Sequence, residues 1–419
     1  MKVKNKKFLT SPSDLNNFVS CKYLIQNDIK YLHKEIRRNE ESIDQKLWKE
    51  FGLKHEKKHF DLLKKYYKKN ISIKQDLTEE ERNKKTIEAI KKGYDLIYHA
   101  YLIDGDFRGE ADFLIKVNTS SDLGDFSYEV YDTKVSRKPK PRHIYQITAY
   151  SSMLSKIQGI LPLKMYLIDG ADITHQYKTK EFIDFYSFTK KNFDNYLKNI
   201  AKEKVYPEKC SHCNVCNYTE ECEKIWTEDN YINQVAKINR SQIDKLKKIG
   251  INTVKKLALT NPEKIKIKVN KQALKDRISQ AQLQEEKRET GKSKYIILDP
   301  DKGKGFYKLP EPDEGDLFFD IEGYPQEDGR GFEYLHGIYF KGQKGMEFKY
   351  FWAKDFKKKY EQENFIELIN FFKEHFKKYP KAHLYHYNSY EKRSLRQLAS
   401  LFSSDFPEGS NFVDALLRG

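Results

Sequence analysis

The chain has 419 residues, enough for two or three domains that each bury a core of their own. Lys and Arg outnumber Asp and Glu by 78 to 62, a formal charge of +16 that suits a polyanionic partner, although heavy use of Lys, Asn and Ile throughout means base composition accounts for part of it. The 29 Tyr and 26 Phe argue against disorder, no run of about 18 apolar residues could cross a membrane, and the basic N-terminus lacks the apolar stretch of a secretory signal; a cytoplasmic protein with no membrane partner is expected.

In chain order, residues 11 to about 101 read as helical, with Ser13 as an N-cap and Trp48, Phe51, Phe60 and Leu63 marking later helical faces. From Gly109 the period changes to two. Residues 111–117 and 127–134 read as two strands of a hairpin around a polar connection at 118–125. Helix is expected at 144–157, strand at 163–168 and helix at 182–200. Helical patterning resumes over 238–289 with a break at Ile249-Gly250-Ile251. A Gly-, Pro- and Asp-rich stretch at 299–315 reads as a linker, followed by strands at 316–321 and 337–340, a helix at 363–376 and a strand at 384–387. Gly291-Lys292-Ser293 is no phosphate loop, because Glu286 stands where the motif needs Gly.

The hairpin carries chemistry. Hydrolysing a phosphodiester at neutral pH calls for a divalent cation, and Mg²⁺ or Mn²⁺ prefers rigidly held carboxylates. Alternation in the second strand puts Val130, Asp132 and Lys134 on one face and Tyr131 and Thr133 on the other. Asp132 can hold a cation, Lys134 can approach the attacking water and the phosphate, and Asp112 on the preceding strand offers a second carboxylate. Gln146 and Tyr150, four apart, share a helix face. Glu56, Glu110 and Glu129 read as surface or supporting groups, and Arg137, Lys138, Lys140, Arg142 and His143 as a stretch able to track a DNA backbone.

Gly109-Glu110-Ala111-Asp112, Asp132-Thr133-Lys134 and Gln146-x3-Tyr150 resemble, in order, the G-x-x-D, D-x-K and Q-x-x-x-Y motifs of RecB-like PD-(D/E)XK nucleases, and Gly52-Leu53-Lys54-His55 resembles that family's early G-x-x-H. The resemblance implies a restriction-endonuclease-like α/β core. It makes His55, Asp112 and Asp132 the Mg²⁺ or Mn²⁺ ligands and Lys134 the catalytic lysine, with Gln146 positioning the lysine and water and Tyr150 contacting the strand.

Four cysteines crowd between Cys210 and Cys222, a spacing that suits metal better than disulfides. Cys213-x2-Cys216-x5-Cys222, with the distant Cys21, is similar to the arrangement in iron–sulfur members of the RecB-like family, among them CRISPR-associated exonucleases. That similarity implies a [4Fe–4S] cluster on Cys21, Cys213, Cys216 and Cys222, with Cys210 one thiol too many. A structural Zn²⁺ on Cys210, Cys213, Cys216 and Cys222 is the alternative.

Ile243, Leu246, Gly250, Ile251, Thr253, Leu257 and Ala258 are spaced as in a helix-hairpin-helix. Near the C-terminus, Phe318-Phe319-Asp320-Ile321-Glu322 is similar to the opening motif of RNase H-like DEDD exonucleases, and residues 386–391 to their second motif, with Glu391 in place of Asp. Asp320, Glu322 and Glu391 would form a second, partial site, the family's next acid being expected beyond Asp414. The expected layout is a RecB-like nuclease domain at 1–232 with the cysteine cluster, a helical hairpin segment at 233–298 and a partial RNase H-like domain at 312–419. This resembles the layout of RecB-like nucleases that often continue into a helicase. The function expected is an exonuclease acting on single-stranded DNA in repair, recombination or defence. The alternatives are a catalytically silent DNA-binding subunit of a helicase complex and an RNA-processing nuclease.

Overall fold

The computed structural model describes every residue except 5–6, 266, 299–302, 325–330, 343–344 and 419. The chain divides into two compact units, Met1–Asp169 with Ile173–Ile297, and Gly170–Asp172 with Leu298–Gly419. Among the described residues no helix is long and apolar enough to cross a membrane.

The first unit opens with β1 (Lys2–Lys4), β2 (Lys7–Leu9), α1 (Pro12–Ser20), α2 (Lys22–Leu32) and α3 (Ile43–Tyr66). Ser11, not Ser13, caps α1: its hydroxyl accepts from the Asp14 N–H, the Asp14 carboxylate accepts in return from Ser11, and Pro12 occupies the first turn. Next come β3 (Asn70–Ser72), α4 (Glu79–Lys91), β4 (Leu96–Asp104), β5 (Phe107–Val117), β6 (Ser127–Thr133), α5 (Pro141–Gln158), β7 (Lys164–Ile168), β8 (Thr174–Lys178) and α6 (Ile183–Lys198). Strands β3 to β8 form one sheet in sequence order, parallel at β3/β4 and β6/β7 and antiparallel elsewhere. Strand β4 lies where helix is expected. It is buried on both faces, so its apolar run lacks the alternation that separates strand from buried helix.

One face of this sheet packs Ala111, Leu114 and Val130 against Leu15, Phe18, Ile147, Leu154 and Phe193 of α1, α5 and α6. The other packs Tyr98, Phe113 and Ile115 against Phe60 and Leu63 of α3. The functional strands therefore run between two helical layers. The unit closes with α7 (Thr219–Glu228), α8 (Arg240–Lys247), α9 (Val254–Ala258) and α10 (Lys271–Thr290) around Trp226, Leu246, Leu257 and Ile278. The expected turn between α8 and α9 is present, with Gly250 in the left-handed region at φ 81°.

The first four residues of the expected linker lie outside the described residues; from 303 it holds one helical turn, Gly305–Lys308. The second unit then forms β9 (Leu317–Tyr324), β10 (Phe332–Gly342), β11 (Gly345–Trp352), α11 (Lys358–Lys378), β12 (Leu384–Tyr385), α12 (Tyr390–Leu401) and α13 (Pro407–Arg418). Its sheet runs β11-β10-β9-β12, with only β9/β12 parallel. Leu317, Phe319, Ile321, Ile338 and Phe351 point to the three helices. The alternate residues Phe318, Tyr339, Phe348, Tyr350 and Trp352 are exposed.

Candidate functional site

Pairing of Phe113 with Tyr131 brings Asp112 and Asp132 level on neighbouring strands. Asp132 has no accessible surface. The Lys134 ammonium lies against its Oδ2. One oxygen of Asp112 accepts from both the N–H and the hydroxyl of Thr133, each at 2.7 Å. Alternation assigns Thr133 to the opposite face; it reaches Asp112 where the pairing of β6 with β5 has ended while that with β7 continues. Asp112 and Lys134 sit deep among protein atoms but keep a solvent-accessible edge. Burial, then the charge of Asp132, pushes the Asp112 carboxyl well above its ordinary range. Burial alone would lower the Lys134 pKa, but Asp132, Asp112 and Glu56 together hold it above normal, so the lysine stays charged.

Helix α5 supplies the support. Gln146 donates to the Tyr150 hydroxyl at 2.9 Å, and Tyr150 is buried. Burial and the nearby Asp132 raise the Tyr150 pKa, so its hydroxyl keeps its proton. Gly109 explains its place in the motif: a Cβ there would come within 2.6 Å of Tyr150 Cε1 and 3.1 Å of Pro12 Cδ. Of the basic stretch, Arg137, Lys138, Lys140 and Arg142 are exposed, whereas His143 is buried, and its pKa falls to about 3 through desolvation and the Lys134 charge. His143 is therefore neutral and belongs to the interior rather than to a DNA-tracking surface.

Two residues beside these strands are placed only by the structure: Glu56, expected as a surface or supporting group, and His99. The His55 ring packs edge-on against His59, with centroids 4.6 Å apart, while the neighbouring Glu56 turns to the hairpin and joins His99 Nε2 at 2.7 Å. His99 lies on β4 with φ 56°. Adjacent helix positions differ by about 100°, so H-E alone does not say which faces the sheet; nothing in the sequence marks His99.

Thiols from residue 21 and from residues 210–222 lie near one another, with Cys210 among them. Cys213 Sγ lies 3.9 Å from Cys210 Sγ, and Cys210 also hydrogen-bonds with Cys21. Burial and the neighbouring sulfurs raise Cys213 to about 11 and Cys222 to about 12, and raise Cys21 and Cys216 as well. Protein contacts hold α2 beside this loop: the Tyr218 hydroxyl donates to Asp28 at 2.7 Å, and Arg38 pairs with the same carboxylate at 2.6 Å.

In the second unit, Asp320 and Glu322 line a cleft of about 580 Å³ with Gly337, Tyr339, Tyr385 and His386. Glu391 is buried, is not among the lining residues, and approaches His386 Nδ1 at 3.3 Å, so it faces the cleft only through that ring. Asp414 is exposed on α13 and pairs with Arg418 at 3.5 Å.

No curated protein matches the chain. A family model described as RNase_H superfamily matches residues 317–418, from the start of β9 to the end of α13. The sheet bearing Asp320 and Glu322, with helices α11 to α13 on its other face, is thus an RNase H-like domain, a nuclease-type fold.

Proposed function

We propose that the chain is a metal-dependent deoxyribonuclease of RecB-like PD-(D/E)XK type, cutting single-stranded DNA at Asp112, Asp132 and Lys134. The observation that carries this is Asp132, a carboxylate without accessible surface that sits between the Lys134 ammonium and a second carboxylate. Burying a charge this way is costly unless something compensates it, and one ammonium does not balance two acids. The donor set, hard oxygens on a rigid strand pair, fits Mg²⁺ or Mn²⁺ held by Asp112 and Asp132. When bound, the cation supplies an activated water and neutralises charge developing on the phosphate.

The chain's own residues do the rest. Thr133 locks one oxygen of Asp112 with two hydrogen bonds, fixing the direction of the other. Lys134 remains an ammonium and can donate to the attacking water or to a non-bridging phosphate oxygen. Gln146 and the protonated Tyr150 wall off the helix side of the pair. Exposed Arg137, Lys138, Lys140 and Arg142 follow Lys134 in the chain and would bind backbone phosphates.

The same reading puts a structural [4Fe–4S] cluster on Cys21, Cys213, Cys216 and Cys222. Its support is the gathering of thiols from residue 21 and from residues 210–222 at one place, with soft sulfur ligands suited to iron. Purification without oxygen, followed by Mg²⁺- and Mn²⁺-dependent cleavage of end-labelled single- and double-stranded DNA by the wild type and by Asp132→Asn, tests the proposal. Metal-independent cleavage, or full activity in Asp132→Asn, rejects it.

A further inference from the structure

Helix α3 is locked over the sheet by Phe60, whose ring stacks on Tyr98 with centroids 4.1 Å apart and planes 14° from parallel. Glu56 lies one turn earlier on the same helix face and is thereby presented to the sheet. His55 and His59 form the neighbouring stripe, ring against ring.

Strand β4 carries an irregularity at that level. Tyr98 pairs with Phe113 and Ala100 with Ala111 in one unbroken register, so the residue opposite His99 is Asp112. Yet His99 has φ 56°, a left-handed conformation inside a strand. A non-glycine residue pays about 1 kcal/mol or more for this, and keeps it only where its surroundings demand it. Here the imidazole Nε2 meets Glu56 at 2.7 Å and Glu110 at 3.9 Å. Glu110 is itself anchored by the Arg82 guanidinium and by Gln75 Nε2 at 2.7 Å. A chain of contacts thus runs from Arg82 through Glu110 and His99 to the Glu56 carboxylate, which the Tyr98 hydroxyl also meets.

We propose that Glu56 is a third carboxylate of the divalent-cation site and that His99 is the positioning residue that aims it, an inference resting on the nuclease reading above. Geometry supports it: in the register of β4 and β5 His99 stands opposite Asp112, and its Nε2 holds the Glu56 carboxylate at 2.7 Å, beside that proposed ligand. With Nε2 committed to Glu56, His99 acts through that carboxylate and not on the substrate.

The test is Mn²⁺ affinity of the full chain, measured by electron paramagnetic resonance without DNA. Glu56→Gln should weaken binding about tenfold or more, the range for groups that hold or orient a metal ligand. His99→Gly suits the left-handed backbone and leaves the three carboxylates in place, so a similar loss would report aim rather than charge. His99→Gln, which restores an N–H at comparable reach, should recover most of it. The double variant Glu56→Gln/His99→Gly should be no weaker than Glu56→Gln alone. Unchanged affinity in Glu56→Gln overturns the proposal. So does a His99→Gly protein with lowered Tm but wild-type Mn²⁺ affinity, or losses that add in the double variant. Wild-type Mn²⁺ affinity in Asp132→Asn is a different failure, because it removes the nuclease reading itself.

Discussion

At the scale of single residues, two groups with no accessible surface are accommodated in opposite ways. Asp132 sits beside the Lys134 ammonium, and the proposed nuclease site rests on that pair. We expect Asp112→Ala and Lys134→Ala to fold and to lose at least ~10²-fold in Mg²⁺-dependent cleavage of end-labelled DNA, the scale of losing one group that stabilises transition-state charge. DNA binding should survive in both, because many basic groups contact phosphate; binding lost in parallel with cleavage would contradict this division of labour. His336 on β10 is neutral instead. It has no accessible surface, neither ring nitrogen finds a hydrogen-bond partner among the described residues, and burial drives its pKa down to about 3. The unfolded chain binds a proton near pH 6.5 that the folded unit refuses. Stability contributed by this residue is therefore complete above about pH 6.5 and falls toward pH 3, by ~1.4 kcal/mol per pH unit at the steepest. His336→Phe, in a site where Phe319 already lies alongside with planes 16° apart, should flatten the decline in thermal or urea unfolding over that window. An unchanged slope would show that His336 is hydrated or protonated in the folded state.

Elements matter where one must touch another closely. Gly109 on β5 is the place where α5 and α1 converge, with Tyr150 and Pro12 both inside the space a side chain would occupy. Gly109→Ala should cost about 1–3 kcal/mol of stability, as overpacking does, and should lower cleavage by moving Tyr150 and with it Gln146. Loss of stability with full activity at low temperature would separate the packing role from the site. The same packing explains which elements can be read in advance. Strand β6 and helix α5 are legible because each shows one period clearly. Strands β8 and β11 are not, being edge strands of their sheets with few buried positions. Helices α12 and α13 are amphipathic but follow a two-residue strand, and the short apolar runs there do not separate strand from helix.

On the scale of the whole molecule, the cysteines gather segments nearly two hundred residues apart, so the cluster proposed there should matter to folding as well as to colour. Anaerobically purified protein should be brown, with about four iron atoms per chain, and Cys21→Ser and Cys213→Ser should each bleach it and lower the melting temperature of the first unit. A colourless folded protein with stoichiometric zinc would replace iron by zinc in this reading. The two units also carry separate acids. With Glu391 reaching the cleft only through His386, the RNase H-like domain offers Asp320 and Glu322 at its surface. Cleavage by this chain should accordingly disappear in Lys134→Ala, although that domain is untouched. Residual divalent-dependent cleavage by purified Lys134→Ala would show that the second domain cuts.

Much of the candidate site is visible in the sequence because it follows local rules. Period-two alternation places Asp132 and Lys134, a spacing of four places Gln146 and Tyr150, and cysteine spacing marks a gathering of thiols. Asp320 and Glu322 stand two apart on a strand and share its open face for the same reason. Tertiary structure decided what depends on several elements at once. Which face of α3 turns Glu56 to the sheet is set where Phe60 stacks on Tyr98. The left-handed His99 is held by contacts from α3, α4 and β5 that no neighbouring residue encodes. Glu391 retreats behind His386 because α12 packs its first turn into the core. Periodicity assigns a residue to a face; how far that face turns, and whether another side chain stands in front of it, is settled only when the layers close.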